Sequence, residues 1–434
     1  MIKHFVIVWF VYWFAILALP VHSVYPAAGE AFLLQFLFVA FVSLGYLATH
    51  AVFNIGNVPR WGTADIAEAK GLIAIALLLS VCGTAFLVYD RIIVQGVDYS
   101  KGIAFARQEW RKLGEARGGG VSSVYSVLGY LFSSGYFVAG ILAVSVKAKL
   151  SQKFRFISLF CVFALVLVNS LIAGGRSNIL LLAVLIFAAI SSQGGWQLKL
   201  FIRSYFVRTL IVFLVGISAM YTLYVFYERA SASNMDAVEY VNNFLPYLGL
   251  EFDSWYRDFL NDNSWASFSA IPVLAGSYLT HSYSTTAAII DSVHEDKVIV
   301  FLHAMNLLNK LGLASAPDSS WFLAGRFPSL PGALWYQYGV ISIFPGAIFL
   351  GVISALVKYL YVSKPSSITR LAGYISMYSI LVVSPLLFVL DFMSFPFLVL
   401  SFAQIIALRF IAISLRVVFR KPAKHFELSD LRSC

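Results

Sequence analysis

Two residues of this chain stand where proton transfer or anion binding could take place. His281 lies in Tyr278-Leu279-Thr280-His281, and Arg176 lies in Gly174-Gly175-Arg176-Ser177. Histidine changes its protonation near neutral pH and therefore suits a general base. The arginine guanidinium is a planar fork that binds phosphate oxygens. Two ordinary readings stay open: a histidine hydrogen-bonded within its own loop, and an arginine that extends to a membrane interface.

Three more arginines are candidates for a second anion contact: Arg229, Arg257 and Arg326. Each has an acidic or aromatic neighbour that would also explain it structurally. Glu251 and Asp253 could supply a base or a hydrogen bond to a sugar, although a pair of carboxylates on a helix surface is the more ordinary arrangement.

Aromatic side chains accompany these charged residues, and the candidates for stacking on a sugar face are Tyr278, Tyr336 and Tyr338. Tyrosine and tryptophan are also the usual residues of a membrane interface, so both readings remain. No pattern of Cys and His with zinc-site spacing, no phosphate-binding Gly-rich loop with Lys and no Asp-x-Asp pair is present. We therefore expect no metal site and no cofactor.

Most of these candidates lie in one polar, acidic segment, residues 228–332. It holds 11 of the 21 Asp and Glu residues and three of the seven His residues. Strongly apolar runs flank it on both sides. We expect the chemistry of the protein to lie in this segment and on the helix ends that face it.

The rest of the chain has the composition of a membrane protein. It is 60% hydrophobic and 12% charged, whereas about a quarter of a soluble globular chain is charged. Apolar runs of about 20 residues, long enough to cross the hydrocarbon layer, recur along it. Such runs must be helical, because in lipid the backbone satisfies its own hydrogen bonds. The predicted fold class is all-α: a polytopic helical membrane protein.

About ten spans are predicted, with one large outer loop between spans 7 and 8. Residues 1–227 would hold seven spans, residues 228–332 the outer loop with partly amphipathic or re-entrant helices, and residues 333–434 three spans and a basic tail. The first span could pass for a cleaved leader, but the many later spans favour a retained helix. The spans lie near residues 4–19, 31–53, 71–89, 124–146, 156–173, 179–190, 209–227, 333–357, 371–390 and 395–415.

The net charge of +10 follows membrane topology, and we expect no nucleic-acid partner. With the N-terminus inside, the short inner segments receive 19 of the 31 Lys and Arg residues, although the outer loops are far longer. Positive charge concentrates on the cytoplasmic side of membrane proteins. Both termini are therefore predicted to be cytoplasmic.

Two segments allow alternative readings. Residues 265–290 could form an eleventh span, but Pro272, Gly276 and His281 favour a re-entrant or amphipathic segment packed against the bundle. The basic loop 90–122 could gather anions, or it could be a surface helix followed by a glycine hinge.

Three short motifs resemble those of the bacterial O-antigen polymerase family, the Wzy-type oligosaccharide repeat-unit polymerases. The turn Ala173-Gly174-Gly175-Arg176-Ser177 is similar to a Gly/Ser-Arg-Ser turn of that family. The stretch Tyr278-Leu279-Thr280-His281 is similar to its late-loop Tyr/His segment. The run from Phe327 to Gly339, followed by Gly346 and Gly351, resembles its small-residue helix after the large loop. The Arg-x10-Gly spacing that some members have in two outer loops occurs here at Arg91/Gly102 and Arg107/Gly118, both in the loop 90–122.

The resemblance implies a metal-independent glycosyltransferase in the bacterial inner membrane, with its large loop in the periplasm. Its donor and acceptor would be oligosaccharides on undecaprenyl diphosphate, and a chain-length regulator could be a protein partner. Arg176 would then contact the diphosphate, with Arg229 or Arg326 as a second contact, and His281 would be the base. Three alternatives stay open: an O-antigen ligase, a lipid-linked oligosaccharide flippase, which would be a transporter, and a non-enzymatic membrane scaffold.

Overall fold

The computed structural model describes residues 1–56, 66–116, 123–146, 150–173, 177–192, 216, 220–221, 223–262, 266–292, 327–365, 367–388 and 394–418. The chain is a helical membrane protein. In its first half the helices are α1 (Ile2–Ala18), α2 (Ala28–Val52), α3 (Ile66–Tyr89), α4 (Ile103–Ala116), α5 (Val124–Ser133), α6 (Gly135–Ser145), α7 (Gln152–Ala173) and α8 (Ser177–Ser191).

Residues 223–232 are also helical. The helices that follow them are α9 (Ala237–Phe244), α10 (Ser254–Asp262), α11 (Ala266–Thr280), α12 (Ser282–Asp291), α13 (Leu330–Tyr338), α14 (Ala347–Ser363), α15 (Ile368–Val383) and α16 (Ser394–Val418). The described elements also include two short strands, β1 (Val21–Ser23) and β2 (Leu250–Phe252).

Within the described residues, five helical segments are long and apolar enough to cross a membrane: Ala28–Val52, Ala69–Val94, Val124–Ser145, Gln152–Ala173 and Ser342–Ser363. Shorter apolar helices stand at four other predicted spans: Ile2–Ala18, Asn178–Ser191, Ile368–Val383 and Val399–Ser414. Large apolar side chains such as Phe14 and Leu17 are more than 70% exposed, which in a bilayer is contact with lipid. The count of ten spans and the orientation stay predictions.

Helix α6 is the centre of the larger apolar core. Each of its residues from Gly135 to Ser145 is buried, and it packs against α3, α7, α8 and α16. Helix α1 lies in a second apolar cluster, where Phe5 and Trp9 are fully buried. The Trp9 indole donates a hydrogen bond to Ser384 Oγ at 3.0 Å, and this bond ties α1 to the end of α15.

Helices α2 and α14 approach each other through glycines. A Cβ atom built on Gly45 would lie 2.2 Å from the carbonyl oxygen of Ile348, and one built on Gly351 would lie 2.2 Å from that of Val42. Both distances are far shorter than a van der Waals contact. Small residues at such positions let helix backbones pack closely in membranes, so this pair depends on having no side chain at either glycine.

The eighth predicted span, residues 333–357, is not one straight helix. Helix α13 starts earlier, at Leu330, where the Ser329 hydroxyl accepts a hydrogen bond from the Gly332 N–H. The chain breaks at Gly339, whose φ is +59°, a backbone conformation that is costly for residues other than glycine. A widened π turn at Ser342–Gly346 then contains Pro345. The proline ring has no N–H to donate, which accounts for the irregular turn before α14.

A small antiparallel sheet joins the connection between α1 and α2 to the middle of the acidic segment. His22 lies opposite Glu251 and Ser23 opposite Leu250. Two further backbone bonds extend the pairing: the Val24 N–H donates to Gly249 at 3.0 Å, and the Asp253 N–H donates to Pro20 at 3.1 Å. The sheet places residues 20–24 and 249–253 side by side at one end of the bundle.

Candidate functional site

His281 is the joint between α11 and α12. Its side chain is 3% exposed. The ring centroid lies 5.3 Å from that of Tyr278 and 6.2 Å from that of Phe327. Imidazole Nδ1 is 2.6 Å from the Tyr278 carbonyl oxygen, and the Phe327 N–H points to Nε2 at 3.4 Å. The helix break therefore holds the ring between its own preceding turn and the segment that begins at residue 327.

These contacts define the tautomer of His281. A carbonyl oxygen only accepts hydrogen bonds, so Nδ1 carries the proton and Nε2 keeps the lone pair. A neutral imidazole in this form can accept a proton at Nε2. The Phe327 N–H points at that lone pair, with 3.4 Å between its nitrogen and Nε2. A substrate hydroxyl would have to displace it.

Buried hydroxyls fix the same joint to α1 and α15. The Tyr12 hydroxyl lies 3.0 Å from the Thr280 carbonyl oxygen and 2.5 Å from Ser282 Oγ, and Ser282 in turn donates to the Pro385 carbonyl at 2.5 Å. Ser282 is fully buried. Burying polar groups is favourable only when they are bonded, so this network specifies one arrangement of the joint.

We expect Ser282→Ala to destabilise the folded protein by about 1–3 kcal/mol, because it leaves the buried Pro385 carbonyl without its donor. The measurement is the thermal midpoint of the detergent-solubilised protein. Ser231→Ala, at an exposed helical position, is the control and should leave the midpoint unchanged. A Ser282→Ala midpoint equal to wild type would show that the network contributes nothing to stability.

Helices α11 and α12 occupy residues 266–291, the segment with two predicted readings. They are 15 and 10 residues long, and each is shorter than the roughly 20 residues that span a bilayer. Residues Ser284 to Ile289 are buried inside the protein. Such packing suits a segment that lies against the bundle, and its depth in the membrane stays a prediction.

The three tyrosines predicted to stack on sugars occupy different environments. Tyr278 is half-buried beside His281. Tyr336 is 6% exposed within the apolar cluster that contains Ile289, whereas Tyr338 is 53% exposed. Of the three, the structure brings Tyr278 next to the predicted base.

The structure describes two of the four predicted arginines, Arg257 and Arg229. Arg257 pairs with Glu251, with 3.7 Å between Nη2 and Oε2, and both side chains are about half exposed. Arg229 is half-buried on the helical stretch 223–232. Arg176 and Arg326 lie outside the described residues.

The helix end that precedes Arg176 is nevertheless defined. The Tyr99 hydroxyl donates to the Ile172 carbonyl at 2.8 Å, and the Tyr221 hydroxyl donates to the Ser170 carbonyl at 3.3 Å. Burial raises the pKa of the Tyr99 phenol, which favours its protonated, donating form. The end of α7 thus lies beside both the loop after α3 and the helix that leads into the acidic segment.

The loop after α3 uses one of its arginines internally. The Arg91 guanidinium lies 3.8 Å from the centroid of the Trp110 ring, donates to the Tyr130 hydroxyl at 3.0 Å and is 2% exposed. Arg111 and Lys112 on α4 are exposed. Within this loop, Arg91 stabilises the fold, whereas Lys101, Arg111 and Lys112 are open to solvent or lipid headgroups.

A histidine–carboxylate pair at the small sheet was not predicted from the sequence. His22 Nδ1 lies 2.9 Å from Asp253 Oδ1, and the two side chains are 56% and 33% exposed. The residues are 231 positions apart, and no local pattern connects them. The sequence predicted Asp253 as half of a carboxylate pair on a helix surface, whereas Glu251 lies in β2 and Asp253 directly follows that strand. His22 lies beyond the predicted first span, 4–19, and was not a candidate.

Comparison with known proteins does not identify the function of this site. No family model, curated protein or solved structure matches the chain. The resemblance to O-antigen polymerases therefore stays a prediction, and the function has to be proposed from the residues and their arrangement.

Proposed function

We propose that this protein is a glycosyltransferase that polymerises undecaprenyl-diphosphate-linked oligosaccharide repeat units into O-antigen or a related surface polysaccharide. The reaction would take place at the outer face of the bacterial inner membrane, with both termini in the cytoplasm. One observation carries the proposal: two histidines, His22 and His281, lie on elements that are hydrogen-bonded together at one end of an apolar bundle. Such a place suits a substrate with a lipid anchor and a polar oligosaccharide.

The chemistry needs a cation and a base. Transfer of the growing glycan breaks the bond to the diphosphate, and the charge that develops there is stabilised by fixed positive groups. We assign this role to Arg176, with Arg229 or Arg326 as the second contact. The acceptor hydroxyl loses a proton, and His281 is the base that the sequence proposes. Arg257, Tyr278, Tyr336 and Tyr338 are the proposed sugar contacts.

The test is the electrophoretic profile of surface glycolipid from a strain that lacks the gene. We expect lipid A-core with a single repeat unit and no ladder, because units are still exported and ligated when polymerisation stops. Bare core with polymer accumulating on the lipid carrier outside would instead indicate a ligase, and bare core with units trapped inside would indicate a flippase. An unchanged ladder would remove the protein from this pathway.

A further inference from the structure

We propose that His22, oriented by Asp253, is the general base that takes the proton of the acceptor hydroxyl. The inference rests on the proposed glycosyl transfer and reassigns its proton step from His281 to a residue that the sequence did not suggest. In this assignment His281 positions the joint between α11 and α12.

The pair has the geometry of an oriented base. A carboxylate only accepts hydrogen bonds, so the 2.9 Å contact with Asp253 Oδ1 places the proton on Nδ1 of His22. Nε2 then keeps its lone pair and can receive a proton. A carboxylate at Nδ1 holds the ring in this tautomer and stabilises the imidazolium that forms, as in the serine hydrolase triad.

The two histidines differ in how far their side chains are exposed to solvent. The His22 side chain is 56% exposed, whereas His281 is 3% exposed and has hydrogen-bond partners at both nitrogens. An oligosaccharide acceptor is far larger than a water molecule and has to bring a hydroxyl to about 3 Å from the base. A surface-facing imidazole meets this requirement without rearrangement of the chain.

The backbone holds the pair in place on both sides. His22 is the central residue of β1, and the Asp253 N–H donates to the Pro20 carbonyl at 3.1 Å. Ser23 Oγ lies 3.1 Å from Ser284 Oγ, and Ser284 donates to the Gly249 carbonyl at 2.5 Å. These contacts connect the pair to α12, three residues beyond His281.

Two acidic residues lie beside His22, one in β2 and one directly after that strand, and one of them contacts its imidazole ring. Glu251 lies opposite His22 in the sheet, but its carboxylate pairs with Arg257 at 3.7 Å. Asp253 is the carboxylate in hydrogen-bond contact with the imidazole. Asp258, an exposed carboxylate of α10, provides a control of equal charge.

The proposed step balances without a further reactant. The acceptor oxygen forms the new bond to the anomeric carbon while its proton moves to Nε2 of His22. The bond from the anomeric carbon to the diphosphate oxygen breaks, and the diphosphate leaves with the electron pair. The exposed imidazolium then releases its proton to solvent.

The experiment measures the rate of polymer formation by the purified full-length protein in vesicles. The probe is the lipid-linked repeat unit extracted from the strain that lacks the gene. His22→Asn keeps a side-chain N–H for Asp253 but has no basic nitrogen, and we expect it to lower the rate by about 100-fold or more. Asp253→Asn should lower the rate less, because His22 keeps its basic nitrogen and loses only the carboxylate that orients its ring. Asp258→Asn, which removes an exposed carboxylate of α10, should stay near wild type.

A second measurement does not depend on the amount of folded protein. Added imidazole should restore part of the rate of His22→Ala, since an exposed site admits it, and should not restore His281→Ala. The inference is overturned if His22→Asn works at the wild-type rate, or if imidazole rescues only His281→Ala. The proposed function fails separately, if the wild-type protein forms no polymer from these units.

Discussion

Alanine in place of Arg176 is expected to lower the polymerisation rate by about 100-fold or more, the usual cost of losing one fixed group that stabilises developing negative charge. In the proposed reaction this charge appears on the departing diphosphate. Lysine at the same position keeps the charge but not the planar fork, so Arg176→Lys should recover only part of the rate. The measurement is polymer formed per unit time from lipid-linked repeat units, at matched amounts of folded protein.

Lys153→Ala is the matched control for Arg176. Lys153 is an exposed cation near the start of α7, whereas Arg176 follows the end of the same helix. Its removal should leave the rate unchanged, because the proposed diphosphate contact lies at the opposite helix end. Equal rates for wild type, Arg176→Ala and Lys153→Ala would rule out the proposed role of Arg176.

Leucine in place of Gly351 is expected to have the largest effect on folding. The first atom of the new side chain would lie 2.2 Å from the Val42 carbonyl oxygen and 2.8 Å from the Tyr46 nitrogen. Both neighbours are backbone atoms of α2 and cannot rotate away. Since overpacking of a core already costs about 1–3 kcal/mol where side chains can adjust, we expect a loss at the upper end of that range or beyond.

The measurement is the yield and thermal midpoint of the monodisperse protein in detergent. Gly373→Leu is the control, because this glycine of α15 is exposed and has no atom within 4 Å of an added Cβ. Gly45→Leu, which faces the Ile348 carbonyl, should behave like Gly351→Leu. A Gly351→Leu protein as stable as Gly373→Leu would contradict the close packing of α2 and α14.

Several helices could be predicted from the sequence to within a few residues. The expected run 156–173 is found as Gln152–Ala173, and 179–190 as Ser177–Ser191. The reason is local: a long apolar run with no charge has one stable conformation in lipid. The break at Gly339 and Pro345 was not predicted, since the surrounding residues are as apolar as those of an unbroken span.

The sequence by itself determined the class of the protein, a helical membrane protein with a polar, acidic segment, because hydropathy is a property of consecutive residues. Tertiary structure alone decided which residues of distant segments come into contact. Gly45 of α2 and Gly351 of α14 each face the backbone of the other helix, and the Phe327 N–H points to the ring of His281. His22 meets Asp253 only because β1 pairs with β2 in one register. Contacts between residues hundreds of positions apart depend on how whole helices and strands pack, and no local pattern encodes them.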